Sequence, residues 1–242
     1  MPPQPPLDSG PSPGPLESWT EGGLACGHFG RRPYLEMLTA MRARVEARAR
    51  NEVADVLWFV EHEGVYTAGR RKAPGDLRAP GLEVIEVERG GRLTWHGPGQ
   101  LVVYPILELT GGLRDLHAWL RLLEEAVIAF LRGHGVEAST SKLGTGVFVH
   151  GRKIASIGIA VRRWVSYHGL ALNLSPDLEA FRKIRPCGFE PERMTSLAIE
   201  GAGTCPEPGA AARDLAALLV PRIHALRARP PSPLPTEPES SR

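Results

Sequence analysis

The chain has 242 residues, of which 42% are hydrophobic, and a formal net charge of +2. That length suits one large domain or two small ones, and so balanced a charge argues against nucleic acid as the main partner. No apolar run approaches the roughly 20 residues of a bilayer-spanning helix, so no membrane partner is expected, and three cysteines without CxxC spacing indicate neither a disulfide framework nor a zinc knuckle.

Residues 1–16 hold seven prolines among Gly, Ser and Gln. Such a stretch buries too little apolar surface to order itself, and a disordered tail is predicted. It has no basic or long apolar region of the kind that makes a signal peptide. A cytoplasmic protein with free thiols at Cys26, Cys187 and Cys205 is therefore expected. Residues 229–242 repeat the Pro-rich character, which leaves one predicted domain over residues 17–228, without an internal linker or repeat.

Residues 33–50 read as a helix, because Tyr34, Leu38, Met41 and Val45 recur at helical spacing with arginines opposite. Val53–Val60 is a short apolar run that suits a buried strand. Glu61–Arg70 reads as a strand leading into a loop, and Leu82–Val87 as another strand.

Residues 89–106, RGGRLTWHGPGQLVVYPI, read as strand, tight turn, strand. Gly97-Pro98-Gly99 fixes a sharp reversal, and Val102, Val103, Tyr104 and Ile106 favour a buried strand. The glycines alone would mark only a hairpin in a core sheet. Arg89, Thr94, His96 and Gln100 crowd it with polar groups, which points to the polar end of an apolar pocket.

Leu113–Arg132 gives the strongest helical pattern, with Leu113, Leu116, Leu120, Leu123, Val127 and Leu131 on its predicted buried side and Gly133 and Gly135 as stops. Strands follow at Gly146–His150, Ile154–Val161 and Val165–Leu174, with turns at His150-Gly151 and Arg162-Arg163. Pro176–Ile184 suits a short helix. Ala210–Ala228 suits an amphipathic one, interrupted or kinked at Pro221. Helices between strands predict an α/β protein of the α+β type, a mixed β-sheet with flanking helices.

Two side chains invite chemistry. Cys187 lies in Arg185-Pro186-Cys187-Gly188, with Arg182, Lys183 and Arg185 beside it in sequence. A free cysteine is usually a small buried hydrophobe, but positive surroundings lower a thiol's pKa and favour the nucleophilic thiolate. Lys153 opens an otherwise apolar, small-residue strand, Lys153-Ile154-Ala155-Ser156-Ile157-Gly158. By itself it reads as a solvated strand end; beside a cysteine it would stabilise a thiolate.

The 89–106 stretch closely resembles the RGGxxTYHGPGQLVxYP signature of the lipoyl(octanoyl) transferase family, also called lipoate-protein ligase B, with Trp95 in place of the usual Tyr. Glu61–Arg70 is similar to the family's EHxPVYTxGR, with Gly64 in place of Pro. Gly146 through Lys153 to Gly158, His168–Asn173, Pro186-Cys187-Gly188 and Thr195-Ser196-Leu197 resemble its GxxxxxxxKIAxIG, HGxALN, PCG and TSL motifs. The likeness covers about residues 53–200. It implies the single-domain fold of biotin and lipoate protein ligases, and transfer of an octanoyl group from octanoyl-acyl carrier protein to a lysine of apo lipoyl domains. Those acceptors are carried by 2-oxoacid dehydrogenase E2 subunits and the glycine cleavage H protein.

The resemblance further implies a Cys187/Lys153 dyad, a cysteine thioester intermediate, and no cofactor or metal, because a thioester already carries the activation. It places the acyl chain among Arg89, Gly90, Gly91, Arg92, Leu93, Thr94, Trp95 and His96, with Ser156, Ile157, Gly158, Gly169, Leu170 and Ala171. His96 is expected at the pocket and His168 in a strand, in binding or structural roles rather than as the base. Arg162-Arg163 and Arg182–Arg185 are either a docking face for an acidic carrier or a solvated surface. The rival readings are an ATP-dependent lipoate or biotin ligase, whose RRxSGGGxVxHD pattern is absent, an octanoyl amidotransferase between lipoyl proteins, and a non-catalytic lipoyl-domain-binding scaffold.

Overall fold

A computed structural model describes residues 13–142, 144–201 and 205–231. The predicted disorder of the two tails falls mostly outside them. Leu16, inside, donates its main-chain N–H to His28.

The chain opens with two strands that periodicity did not reveal, β1 (Glu17–Glu21) and β2 (Leu24–Arg32), paired antiparallel. Helix α1 (Tyr34–Ala49) then carries the chain over to β3 (Val56–His62), parallel to β2. This is the sheet's parallel pair, and the helix is long enough to make the crossover. The remaining strands are β4 (Val65–Ala68), β5 (Val84–Glu86), β6 (Leu93–His96), β7 (Gln100–Glu108), β8 (Ser139–Ser141), β9 (Gly144–Val149), β10 (Arg152–Arg162) and β11 (Val165–Asn173). The large sheet runs β1-β2-β3-β7-β11-β10-β9-β8, and a small one runs β5-β4-β6.

The stretch over 89–106 is therefore not a hairpin. β6 pairs with β4 and β7 pairs with β3 and β11, so Gly97-Pro98-Gly99 passes the chain from one sheet to the other. The turn residues specify the reversal; which neighbours each strand finds is decided by distant segments.

β7 is apolar from Leu101 to Leu107 because both of its faces are covered. Leu101, Val103 and Leu107 pack beneath α2 (Leu116–Gly133) and α4 (Pro208–Arg227). Val102, Tyr104 and Ile106 pack under α1 on the opposite face. Asp115 caps α2, accepting from the N–H groups of His117 and Ala118 at 3.0 and 3.1 Å. The buried stripe of α2 is Trp119, Leu122, Leu123, Ala126, Val127, Phe130 and Leu131. It is rotated from the predicted one: Leu116 is exposed and Leu113 sits in the 3-10 turn Gly111–Arg114. Trp119 sets this rotation, since its ring is fully buried and its Nε1–H reaches Ser166 Oγ at 3.1 Å.

Pro221 does not interrupt α4, whose buried Leu215, Leu219, Val220 and Ile223 pack on both sides of it. Tertiary packing there outweighs the lost N–H. Pro176–Ile184 forms the 3-10 turn Leu178–Lys183, and a short α3 (Leu197–Glu200) precedes α4. The β10–β11 turn falls on Arg163-Trp164, one residue later than predicted, both with positive φ.

Candidate active site

A narrow slot of about 40 Å³ opens where the two sheets meet. Its walls come from the Arg89–Gly91 loop, Thr94 and His96 of β6, Val102 and Tyr104 of β7, β10 from Ser156 to Gly158, β11 from His168 to Ala171, Tyr34 and Cys187. Strand periodicity explains the set. On β7, Val102 and Tyr104 share one face; on β6, Thr94 and His96 do.

Cys187 stands at this slot in the 3-10 turn Pro186–Gly188, with φ 54° and ψ 19°. A left-handed conformation costs a non-glycine residue roughly 1–2 kcal/mol, and such strain is characteristic of functional positions. Its Sγ lies 3.6 Å from Ser156 Oγ. Burial by itself pushes the thiol's pKa up. The Lys153 ammonium, the Ser156 hydroxyl and the Arg89 guanidinium outweigh it, and the thiol ends below its ordinary value.

Lys153 reaches this thiol through an irregularity in β10. Lys153 pairs with Phe148 and Ala155 with Val147, which leaves Ile154 as an extra residue. This bulge sends Ile154 and Ala155 both into the core beneath α2, so Lys153 and Ser156, three apart, share the opposite face. Strict alternation would have put them on different faces. Lys153 is 2% exposed; its Nζ donates to Thr145 O at 2.6 Å and lies 5.3 Å from the Phe148 and Phe189 ring centres. Gly146 makes the room: a Cβ there would fall 2.8 Å from Lys153 Cε.

The Cys187 loop is pinned from two sides. Ile184 bridges to Leu77, and Arg185 donates its N–H to Asp76 O at 2.7 Å. Asp76, 1% exposed, holds Arg92 through both carboxylate oxygens. On the other side Met194 bridges to Lys153, and Thr195 N–H donates to Lys153 O at 3.0 Å. A buried chain then runs inward: Asn173 donates to Thr195 O at 2.8 Å and accepts from Gln100 at 2.9 Å. The Cys187 loop, Lys153 and the β10 strand are thus one hydrogen-bonded assembly.

Arg89 is nearly buried. Its Nη atoms give hydrogen bonds to Gly90 O, Arg92 O, Thr67 O and Thr67 Oγ1, and its Nε has no partner among the described residues. Nearby histidines are neutral. His62 donates from Nδ1 to Arg32 O and accepts the Tyr104 hydroxyl at 2.6 Å; burial drops its pKa to about 4. Burial, reinforced by Arg89 and His62, holds His96 well below its ordinary value; its Nδ1–H points to Gln100 Oε1. Burial lowers His168 as well, against the opposing pull of Glu88. The thiol's hydrogen-bond partner is Ser156, and the charge that favours its thiolate comes from Lys153 and Arg89, not from a histidine.

Of the residues predicted to line the pocket, Arg89, Gly90, Gly91, Thr94, His96, Ser156, Ile157, Gly158, Gly169, Leu170 and Ala171 do so. Three do not. Leu93 and Trp95 point to the other side of β6, where they pack with Phe181, Ile184 and Met194, and Arg92 turns to Asp76. Period-2 alternation alone separates them from Thr94 and His96. Tyr34, Val102, Tyr104 and His168 line the slot without having been predicted to; Tyr34 carries the one usable signal, a polar aromatic on the apolar stripe of α1. Asp76 stands in a loop with no pattern to mark it.

Trp95 borders a wider depression of about 720 Å³ with Cys205. Burial raises the pKa of that thiol, which disfavours it as a nucleophile. The arginines proposed for docking have acidic neighbours: Arg162 and Arg163 meet Glu46, Arg182 meets Glu179 and Arg185 meets Glu190. Among the described residues no helix is long and apolar enough to cross a membrane.

Residues 33–208 match the family model of the lipoyl protein ligase A/B catalytic domain. An octanoyltransferase of Novosphingobium aromaticivorans is 43% identical over 180 residues, spanning 72% of this chain and 81% of that one. Two solved structures share the fold alone. One is a chain from the bi-partite lipoate protein ligase and E2 lipoyl domain of Thermoplasma acidophilum, with TM-score 0.59 and 18% identity over 81% of this chain and 88% of that one. The other is biotin protein ligase from Aquifex aeolicus, with TM-score 0.53 and 11% identity over 84% and 71%. The match over most of the domain, joined to the motif residues gathered around one slot, places this chain in the octanoyltransferase family, within the lipoyl protein ligase A/B catalytic-domain group.

Proposed function

We propose that the protein moves an octanoyl group from octanoyl-acyl carrier protein to a lysine of apo lipoyl domains, through a thioester on Cys187. The observation that carries this reading is a thiol held between Lys153 and Ser156 at a narrow, largely apolar slot. The Cys187 thiolate attacks the donor's thioester carbonyl. The carrier's thiol leaves with a proton from Lys153, and octanoyl-Cys187 remains. The acceptor's amine then attacks that thioester and gives up a proton to the Lys153 amine; an amide forms, and the Cys187 thiolate is released. Arg89 Nε–H, without another partner among the described residues, and main-chain N–H groups near Cys187 are the donors for the oxyanion. The acceptors are the lipoyl domains of E2 subunits and of the H protein. Because the donor is already activated, the reaction consumes no nucleotide.

The test is intact mass after incubation with octanoyl-acyl carrier protein in the absence of ATP. A hydroxylamine-labile octanoyl adduct, missing in Cys187→Ser, is expected. Transfer that persists in Cys187→Ser, or that requires free octanoate and ATP, would overturn the reading.

A further inference from the structure

Two cavities share one thin wall. The floor of the slot is laid by β10 and β11, where Ser156 faces Ala171 and Gly158 faces Gly169. These positions carry a hydroxymethyl, a methyl and no side chain at all, so the floor is low. The next pair on that face is Ala160 with Tyr167, and there the floor rises. His168, beside it, has φ 54° and sets its ring 5.0 Å from that of Tyr167. Its Nε2 lies 3.4 Å from Glu88, and Arg42 donates to Glu88 at 2.9 Å. Arg42, Glu88 and Tyr167 line a second cavity, of about 250 Å³, between α1 and the β10–β11 turn. His168 belongs to the slot. One layer of side chains therefore divides the two spaces.

Its position along the strands gives the layer a meaning. Cys187 Sγ sits beside Ser156, and His168 pairs with Ile159, three residues further along β10. At about 3.4 Å per residue the wall stands roughly 10 Å from the thiol, close to the reach of an extended octanoyl chain. We propose that the Tyr167–His168 layer, braced by Glu88 and Arg42, is the stop that sets the acyl-chain length this enzyme accepts. A shorter chain leaves unfilled space before the wall and loses contacts; a longer one meets the two rings. The proposal rests on acyl transfer at Cys187.

The experiment measures kcat/KM for acylation of Cys187 by pantetheine thioesters from hexanoyl to palmitoyl, read by intact mass. The wild type peaks at octanoyl. His168→Gly, compatible with the backbone at that position, and Tyr167→Ala each join the slot to the outer cavity. Each raises the lauroyl-to-octanoyl ratio at least about tenfold, the scale of a methylene's worth of pocket contact. An unchanged length profile in either folded variant would overturn the proposal, and so would an equal loss at every length. If one variant fails to fold, the other decides. A wild type that takes up no acyl group from any thioester refutes the acyl-transfer reading itself, a result separate from a flat length profile in an active enzyme.

Discussion

Gly169→Ala tests whether the slot depends on how closely β11 approaches β7. A Cβ on Gly169 would stand 2.2 Å from Val103 O and 2.5 Å from Pro105 Cδ, both on β7. Contacts below 3.0 Å force something to shift. β7 has little freedom to retreat, because β3 pairs with its other edge and helices cover it. Overpacking of this kind costs about 1–3 kcal/mol. The backbone at φ 156° adds to that, since alanine there takes on the left-handed penalty of roughly 1–2 kcal/mol. Together they come to about 2–5 kcal/mol, a large part of the roughly 5–15 kcal/mol that holds a domain folded. At about 2–4 °C per kcal/mol for a domain of this size, the melting temperature falls by roughly 4–20 °C. Thermal unfolding followed by circular dichroism reads it directly. Gly133→Ala is the control: a Cβ there meets nothing within 4 Å, at the end of α2, and the change stabilises by up to about 1 kcal/mol. A Gly169→Ala melting temperature equal to wild type would refute the close-approach argument.

Lys153→Met removes the charge that opposes burial of the Cys187 thiol, so the pH profile of iodoacetamide alkylation moves to higher pH. Octanoyl transfer drops by at least about 100-fold with the loss of the proton donor. An alkylation profile that does not move would sink the dyad. His62 predicts acid sensitivity. Its folded pKa, about 4, lies below the unfolded value of 6.5, so the unfolded chain binds its proton first. Stability is full above pH 6.5, falls as pH drops from 6.5 toward 4, and is lost by roughly 3 kcal/mol. Urea unfolding across that window measures the slope, and His62→Gln, which has no proton to gain, removes its share while His96 and His168 keep theirs.

Much of this architecture could be read from residue pattern. α1 and α2 announced themselves by apolar spacing, β9, β10 and β11 by short apolar runs with turn residues between them, and the Cys187 and Lys153 segments by their motifs. What escaped depends on partners far away in sequence. Nothing local tells that Leu93–His96 joins β4 while Gln100–Glu108 joins β3. β1 and β2 mix polar and apolar residues without clean alternation, because β1 lies at an edge. Leu93 and Trp95 sit among slot residues in the sequence and face away from the slot in space. Asp76 matters through the Cys187 loop and Arg92 it holds, neither of which its neighbours in the chain can indicate.

The extra residue in β10 has a consequence for how this gene can change length. The β9–β10 turn at His150-Gly151 is an exposed hairpin tip, the usual place for a protein to tolerate insertions and deletions. A change there is absorbed in the loop, since pairing resumes at Arg152 with Val149. Two residues further on the tolerance ends. Deleting Ile154 would restore perfect alternation and leave a tidier strand. Lys153 would stay on the face of Ser156, now two residues away, but the core beneath α2 would lose the fully buried Ile154 side chain. The more regular sheet would be the less stable one.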